Sequence, residues 1–360
     1  MYFKRKELNT LILPELLQEL NPDQIPLKLR YTSDIQYQKE VALALEQHRL
    51  TLSQQMNPEE HTHFLLKMAT AFLESGLYGK AEAYFHETLN NLEHVQNSNS
   101  RELIRARCFF GYAVVFRELR KEQEKANEYF QKSWDTTGIL NQRDFWVAKL
   151  QADICRNWGI FHLTTQHYLE AMDRFEQGIK IARQFPELRL FLIPLINYAG
   201  LAAGRAVPTR LTKNECDDFT DKAKKYFDEA SNAYRDEISR DPTLKTDCQD
   251  YASHLYHRGL VCKITEDYEH AIQYLGDALR IRRECHYEGQ QRGRIADVLF
   301  DLGDAYLNSD NFHYARPALE EAKTIYAELD NKPKQAAVED LLERCPQEEA
   351  ATSLRCASTH

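Results

Sequence analysis

At 360 residues the chain is longer than one compact core usually covers, so two domains or one elongated array are the natural options. Its 43% apolar and 28% charged residues exclude a disordered polymer. A formal charge of −9 argues against broad contact with nucleic acid or an anionic membrane.

Helix breakers are scarce, 11 prolines and 13 glycines, which predicts long helices joined by short turns. In chain order, Leu8 to Leu20 reads as a short helix and Asn21-Pro22 and Ile25-Pro26 as breaks. Ser33 to Met56 reads as a long amphipathic helix capped by Ser33 or Asp34. Lys4-Arg5-Lys6 precedes an apolar stretch, but Asn9, Thr10, Pro14 and Glu15 interrupt it, so no signal peptide is expected. Residues 1–58 are expected to form a helical cap or a small output module; lacking a helix-turn-helix pattern or strong basicity, they are not expected to bind DNA.

A repeated pattern then takes over. An aromatic precedes an alanine by three residues and a bulky residue follows it by four, as in Tyr78-x-x-Ala81-x-x-x-Phe85 and Tyr168-x-x-Ala171-x-x-x-Phe175. Further copies centre on Ala126 (with Phe130), Ala223 (Phe227), Ala271 (Leu275) and Ala315 (Leu319). A small residue usually follows three further on: Ser133, Gly178, Ala230, Ala278, Ala322. Positions i, i+4 and i+7 share one helix face, so each copy carries a small, large, small stripe on which a neighbouring helix can lie close. Upstream lies a second helical pattern, seen best in Leu299-x-x-Leu302-Gly303-x-x-Tyr306 and also in Leu65-x-x-Met68-Ala69-x-x-Phe72. The anchor alanines are 45, 45, 52, 48 and 44 residues apart, and the longest step predicts an inserted loop near Ala206 to Arg210. Lys334 to Cys345 reads as a closing helix, with a polar tail beyond Pro346.

The pattern resembles the tetratricopeptide repeat, whose two antiparallel helices carry small and large residues at these offsets; Leu299 to Ala322 is the best copy. The family's usual period is about 34, so these are lengthened hairpins, of a kind found in kinesin light chains, a cell-polarity adaptor family and bacterial peptide-pheromone receptors. The resemblance implies an all-α fold, a right-handed superhelical array (α-solenoid) of five or six hairpins over residues 59–330. A capping helix at 331–346 and a flexible tail at 347–360 complete the expected organisation.

Catalytic and metal patterns are lacking. Gly289 to Gly293 has no phosphate-loop spacing, and Asn90 stands where a zinc-protease helix opening at His86-Glu87 needs its second histidine. No nucleophile, base and orienter pair up, so neither an enzyme nor a cofactor or metal site is expected. Eight cysteines without a C-x-x-C pair fit buried thiols in a reducing compartment, hence the cytoplasm. The longest uncharged run, Leu190 to Gly204, contains Pro194 and is too short to span a membrane.

What the resemblance implies instead is a concave wall built from the first helix of each hairpin, with ligand-facing positions fourteen and eleven residues before the anchor alanine and others at fifteen, eighteen, eight and seven. Those positions give Lys67, Tyr112, Arg156, Asn157, Tyr256, His257, Asp301 and Asp304 as the expected peptide-binding residues, and aligning Ile196-Asn197-Tyr198-Ala199 with Arg156-Asn157-Trp158-Gly159 across the longer step adds Asn197. Asn157 and Asn197 are the sharpest of these, because an amide both donates and accepts and can hold an extended backbone. The carboxylate clamp of some family members is not reproduced by Lys67, Arg156 and Asn157. Lys67 and Arg156 early and Asp301 and Asp304 late suit a ligand with separated charges. The expected function is a scaffold or adaptor binding a protein or peptide; a peptide- or metabolite-sensing regulator, or a structural subunit of a larger assembly, is the alternative. A homodimer through end repeats is the further partner to consider.

Overall fold

The computed structural model describes residues 43, 46, 56–119, 122–208, 212–240, 249–284 and 292–346. The helix expected over Leu8–Leu20 lies outside them, as do the tail from 347 and all of the Ser33–Met56 helix but Leu43, Glu46 and Met56; Leu43 and Glu46 are helical. The described residues form helices and turns and contain no strand. The chain divides into two compact units, residues 1–161 and 162–360.

The first unit contains α1 (Pro58–Glu74), α2 (Tyr78–Asn90), α3 (Ser98–Leu119), α4 (Gln123–Gly138) and most of α5 (Phe145–Thr164). Asn57 and Glu60 start α1 reciprocally: the Glu60 amide donates to Asn57 Oδ1 at 2.9 Å and the Asn57 amide donates to Glu60 Oε2 at 3.0 Å. Phe64, Leu65, Met68 and Phe72 of α1 bury against Phe85 of α2 and Cys108 and Tyr112 of α3. A second cluster joins Phe130 of α4 to Ile154, Trp158 and Phe161 of α5.

The second unit contains α6 (Tyr168–Ala182), α7 (Arg189–Ala206), α8 (Lys213–Arg240), α9 (Gln249–Ile264), α10 (Tyr268–Glu284), α11 (Gly293–Asn308), α12 (Phe312–Glu328) and α13 (Lys332–Arg344). Val338 and Leu341 of α13 close the core that Leu275, Leu299, Leu302, Leu319 and Tyr326 begin.

All six anchor alanines are fully buried, and the bulky residues four positions on are at most 2% exposed. Close approach explains the glycine of the first-helix pattern: a Cβ on Gly303 would meet Leu319 Cγ at 2.6 Å, so α11 and α12 can touch there only without one. The turns repeat as well. Gly76, Gln166, Glu266, Asp310 and Asp330 all have φ between 51° and 69°. In each turn the next residue's amide bonds back over a six-residue span, as Asp267 does to the Cys262 carbonyl at 2.9 Å, closing the preceding helix in a Schellman motif.

The long step between anchors is not a loop alone. Helices α2, α6, α10 and α12 begin three residues before their alanine, whereas α8 begins at Lys213, ten before Ala223. Two helical turns at the start of α8 absorb most of the extra length; of the linking segment, residues 209–211 lie outside the described ones.

Candidate functional site

The wall positions fall differently in the two units. In the first, Tyr112 is 6% exposed and stacks on Tyr129, centroids 5.0 Å apart, with Phe116 5.6 Å from the same Tyr129 ring. It is part of the packing, and burial pushes its hydroxyl pKa up. Lys67 on α1 is half-buried. Arg156 is half-buried and pairs with Asp153 at 3.3 Å. Asn157 is 8% exposed and already engaged: Arg117 donates to its Oδ1 at 2.8 Å, and its Nδ2 donates to the Asp153 carbonyl at 2.9 Å.

In the second unit the predicted residues meet one another across three successive first helices, α7, α9 and α11. Asn197 of α7 donates from Nδ2 to His257 Nδ1 of α9 at 2.9 Å, and its Oδ1 accepts from His254 Nδ1 at 3.2 Å. His254 Nε2 is 2.8 Å from the Ser231 hydroxyl, which also accepts from Arg258 at 3.1 Å. Burial holds both imidazoles neutral, with pKa values lowered to about 3; Arg258 adds to this at His254, and Arg282, His254 and Arg205 at His257. Neutral rings have one donor and one acceptor each, so the polarity of this chain runs from Arg258 through Ser231, His254 and Asn197 to His257.

Further along α9, Tyr256 donates to Asp301 Oδ2 of α11 at 2.7 Å, and Lys263 donates to Asp301 Oδ1 at 2.6 Å and to Asp304 Oδ2 at 2.9 Å. Burial would lower the Lys263 pKa, but the two carboxylates outweigh it and hold it up. Arg282 of α10 lies over the Tyr256 ring, 4.7 Å from its centroid. One ammonium thus answers two acids, so the acidic end expected at Asp301 and Asp304 keeps about a single net negative charge.

The two asparagines do not form a ladder by themselves. Each is buried and hydrogen-bonded inside its own unit, because an amide at a helix crossing needs internal partners once water is excluded. The pattern missed Lys263 and His254 as members of the second group. Lys263 lies eight residues before Ala271, one of the wall offsets, so it was legible; His254, seventeen before, had no such signal. Among the described residues, no group of three or more His, Cys, Asp or Glu is placed to hold a metal ion. No described helix is long and apolar enough to cross a membrane.

Residues 253–285, which run through α9 and α10, match the family model of the tetratricopeptide repeat. The chain carries a tetratricopeptide repeat. The hairpins of the rest of the chain repeat that fold, and solved tetratricopeptide-type structures resemble it over most of its length. The apo form of RapI matches 93% of this chain and 85% of its own, at 14% identity and a TM-score of 0.57. NprR in complex with its cognate peptide NprX matches 93% and 87%, at 12% identity and 0.51. Cut9–Hcn1, an APC/C hetero-tetramer, matches 92% of this chain and 51% of its own, at 15% identity and 0.58. At such identities the likeness is one of fold. No curated protein matches the sequence.

Proposed function

We propose that this tetratricopeptide-repeat chain is a peptide- or protein-binding scaffold, and that the first-helix wall of its second unit holds the ligand. The observation that carries this reading is the polar series across α7, α9 and α11: Asn197 with His257, and Tyr256 and Lys263 with Asp301 and Asp304. A helix crossing built for packing alone buries apolar side chains, as Phe130 and Trp158 do in the first unit. Here buried and half-buried donors and acceptors of fixed orientation lie in a row, which suits an extended backbone with alternating N–H and C=O groups. NprR, which shares the fold, was captured with a peptide bound.

Photo-crosslinking tests the wall directly and removes only the Asn308 side chain's bonds to Asp304 and Arg344, leaving Lys263 on Asp301 and Asp304. A benzoylphenylalanine in place of Asn308, an exposed residue at the wall offset seven before Ala315, is expected to crosslink a fluorescent pool of random nonamer peptides. The same group in place of Glu321, exposed on the second helix α12, is expected not to. Crosslinking from 321 and not from 308 would reject the assignment.

A further inference from the structure

The turn between α4 and α5 ends in bare apolar surface. Ile139, which closes α4, is 73% exposed, the most of any large hydrophobic residue among the described ones. Trp146, in the first turn of α5, is 53% exposed. Phe145 meets the Trp146 ring edge-on, centroids 5.2 Å apart, and is itself half-buried. Single exposed apolar residues are ordinary, but here an isoleucine and a tryptophan stand at the two ends of one short turn.

The polar groups of that turn are spent on its own backbone. Gln142 Nε2 donates to the carbonyls of Thr137 and Leu140, both at 2.9 Å. Asn141 Oδ1 accepts from the Arg143 amide at 3.1 Å, and Asp144 Oδ1 from the amides of Trp146 and Val147 at 2.7 and 3.2 Å. The amides of Leu140, Asp144 and Ala148 donate to the carbonyls of Thr137, Asn141 and Asp144 at 3.1, 3.0 and 3.0 Å. A turn bonded within itself loses little when water is withdrawn, and it presents its apolar side chains without further ordering.

The charge at the turn opposes that of the chain. From Thr136 to Leu150 there are two cations, Arg143 and Lys149, and one acid, Asp144, whose carboxylate caps α5. Lys149 Nζ lies over the Trp146 ring, 5.5 Å from its centroid. Arg143 is exposed and pairs with no acid of the described residues. In a chain at −9, apolar side chains flanked by these cations suit a surface that joins negative charge to an apolar interior. Two side chains are also few for a protein partner, since a stable interface engages about 20 residues or more a side. A bilayer takes up apolar residues one at a time, and tryptophan favours its headgroup level.

We propose that the α4–α5 turn docks the protein on an anionic lipid surface, with Ile139 and Trp146 entering the headgroup boundary and Arg143 and Lys149 facing the headgroup charges. The contact is local, needs no spanning helix and is independent of the peptide-binding reading.

Flotation of the full chain tests it, with vesicles of phosphatidylcholine alone and of phosphatidylcholine mixed two to one with phosphatidylglycerol. Wild type is expected to bind the mixed vesicles about fivefold or more tighter than the neutral ones, the factor one cation adds near an anionic surface. Arg143→Glu is expected to remove that preference. Ile139→Ser and Trp146→Ser are each expected to weaken binding to both vesicles about tenfold. Their thermal midpoints should not move, because both side chains are exposed. Trp158 is buried and Trp134 half-buried, so brominated lipid should quench mainly the Trp146 emission, and Trp146→Ser should abolish most of the quenching. No flotation with either vesicle, equal flotation with both, or flotation unchanged in the Ile139→Ser/Trp146→Ser double variant overturns the proposal. Self-association of the lipid-free wild type that the double variant abolishes would assign the turn to a second copy and overturn it equally. None of these failures touches the first-helix wall.

Discussion

The first helices of the two units solve one packing problem in opposite ways. In the first unit the crossings are filled by rings: Tyr112, Phe116 and Tyr129 stack, and Phe130 lies 6.0 Å from Trp158. In the second unit, Asn197, His254, His257, Tyr256, Lys263 and Asp301 add bonds that run from one first helix to the next. Rings fill a crossing whatever their rotation about the axis, so they tolerate small shifts. A hydrogen-bonded series does not, because each member must keep its partner within about 3 Å. The first arrangement stabilises; the second stabilises only while complete, and it specifies geometry.

The comparison breaks most sharply at Phe130. Phe130→Ala is expected to cost about 3–5 kcal/mol, and hydrogen exchange should show the loss in α3 to α5. Protection lost equally in α9 and α11 would mean the rings are not local to the first unit. Next in size is Lys263→Met, which leaves Asp301 and Asp304 without their cation, with only Tyr256 and Asn308 still donating to them. With the side chains 11–19% exposed, we expect roughly 2–3 kcal/mol. Adding Asp301→Asn and Asp304→Asn should recover most of it, measured by urea unfolding. No recovery would show that the lysine acts by packing.

The pH dependence sharpens the contrast. His254 is fully buried and its folded pKa, about 3, lies below the unfolded value near 6.5. Between those values the unfolded chain binds the extra proton, so its contribution is fully present above about pH 6.5 and is lost as pH falls toward 3. The loss has a slope of up to about 1.4 kcal/mol per pH unit. His254→Gln should reduce the slope between pH 6 and 4 by up to that amount, leaving the part due to His257; an unchanged slope would place the acid sensitivity elsewhere. The smallest effect belongs to the turns. Glu266 holds a φ of 61° that glycine adopts without strain, so Glu266→Gly should raise stability by about 0.5 kcal/mol in thermal melts. A fall would mean its side chain contributes more than its backbone costs.

Much of this fold is legible in the sequence because packing at a helix crossing is periodic. Ala315, Leu319 and Gly303 announce their burial by spacing, and so do the other anchors. The extra turns of α8 were not, since Lys213 to Lys222 carry no anchor and a helix extension reads like a polar loop. The wall positions were found by offset, but their state was not. Asn157 and Asn197 share an offset, yet one answers Arg117 and the other two histidines, partners 40 to 60 residues away. Periodicity reports which face a residue occupies; it carries no record of what stands opposite.

The account stands on the claim that a peptide lies along the first helices of the second unit. Hydrogen exchange of the full chain, with and without a saturating random nonamer pool, tests it most directly. The expected result is added protection in α7, α9 and α11 with little change in α8, α10 and α12. Protection confined to the second helices, or to the first unit alone, would contradict it.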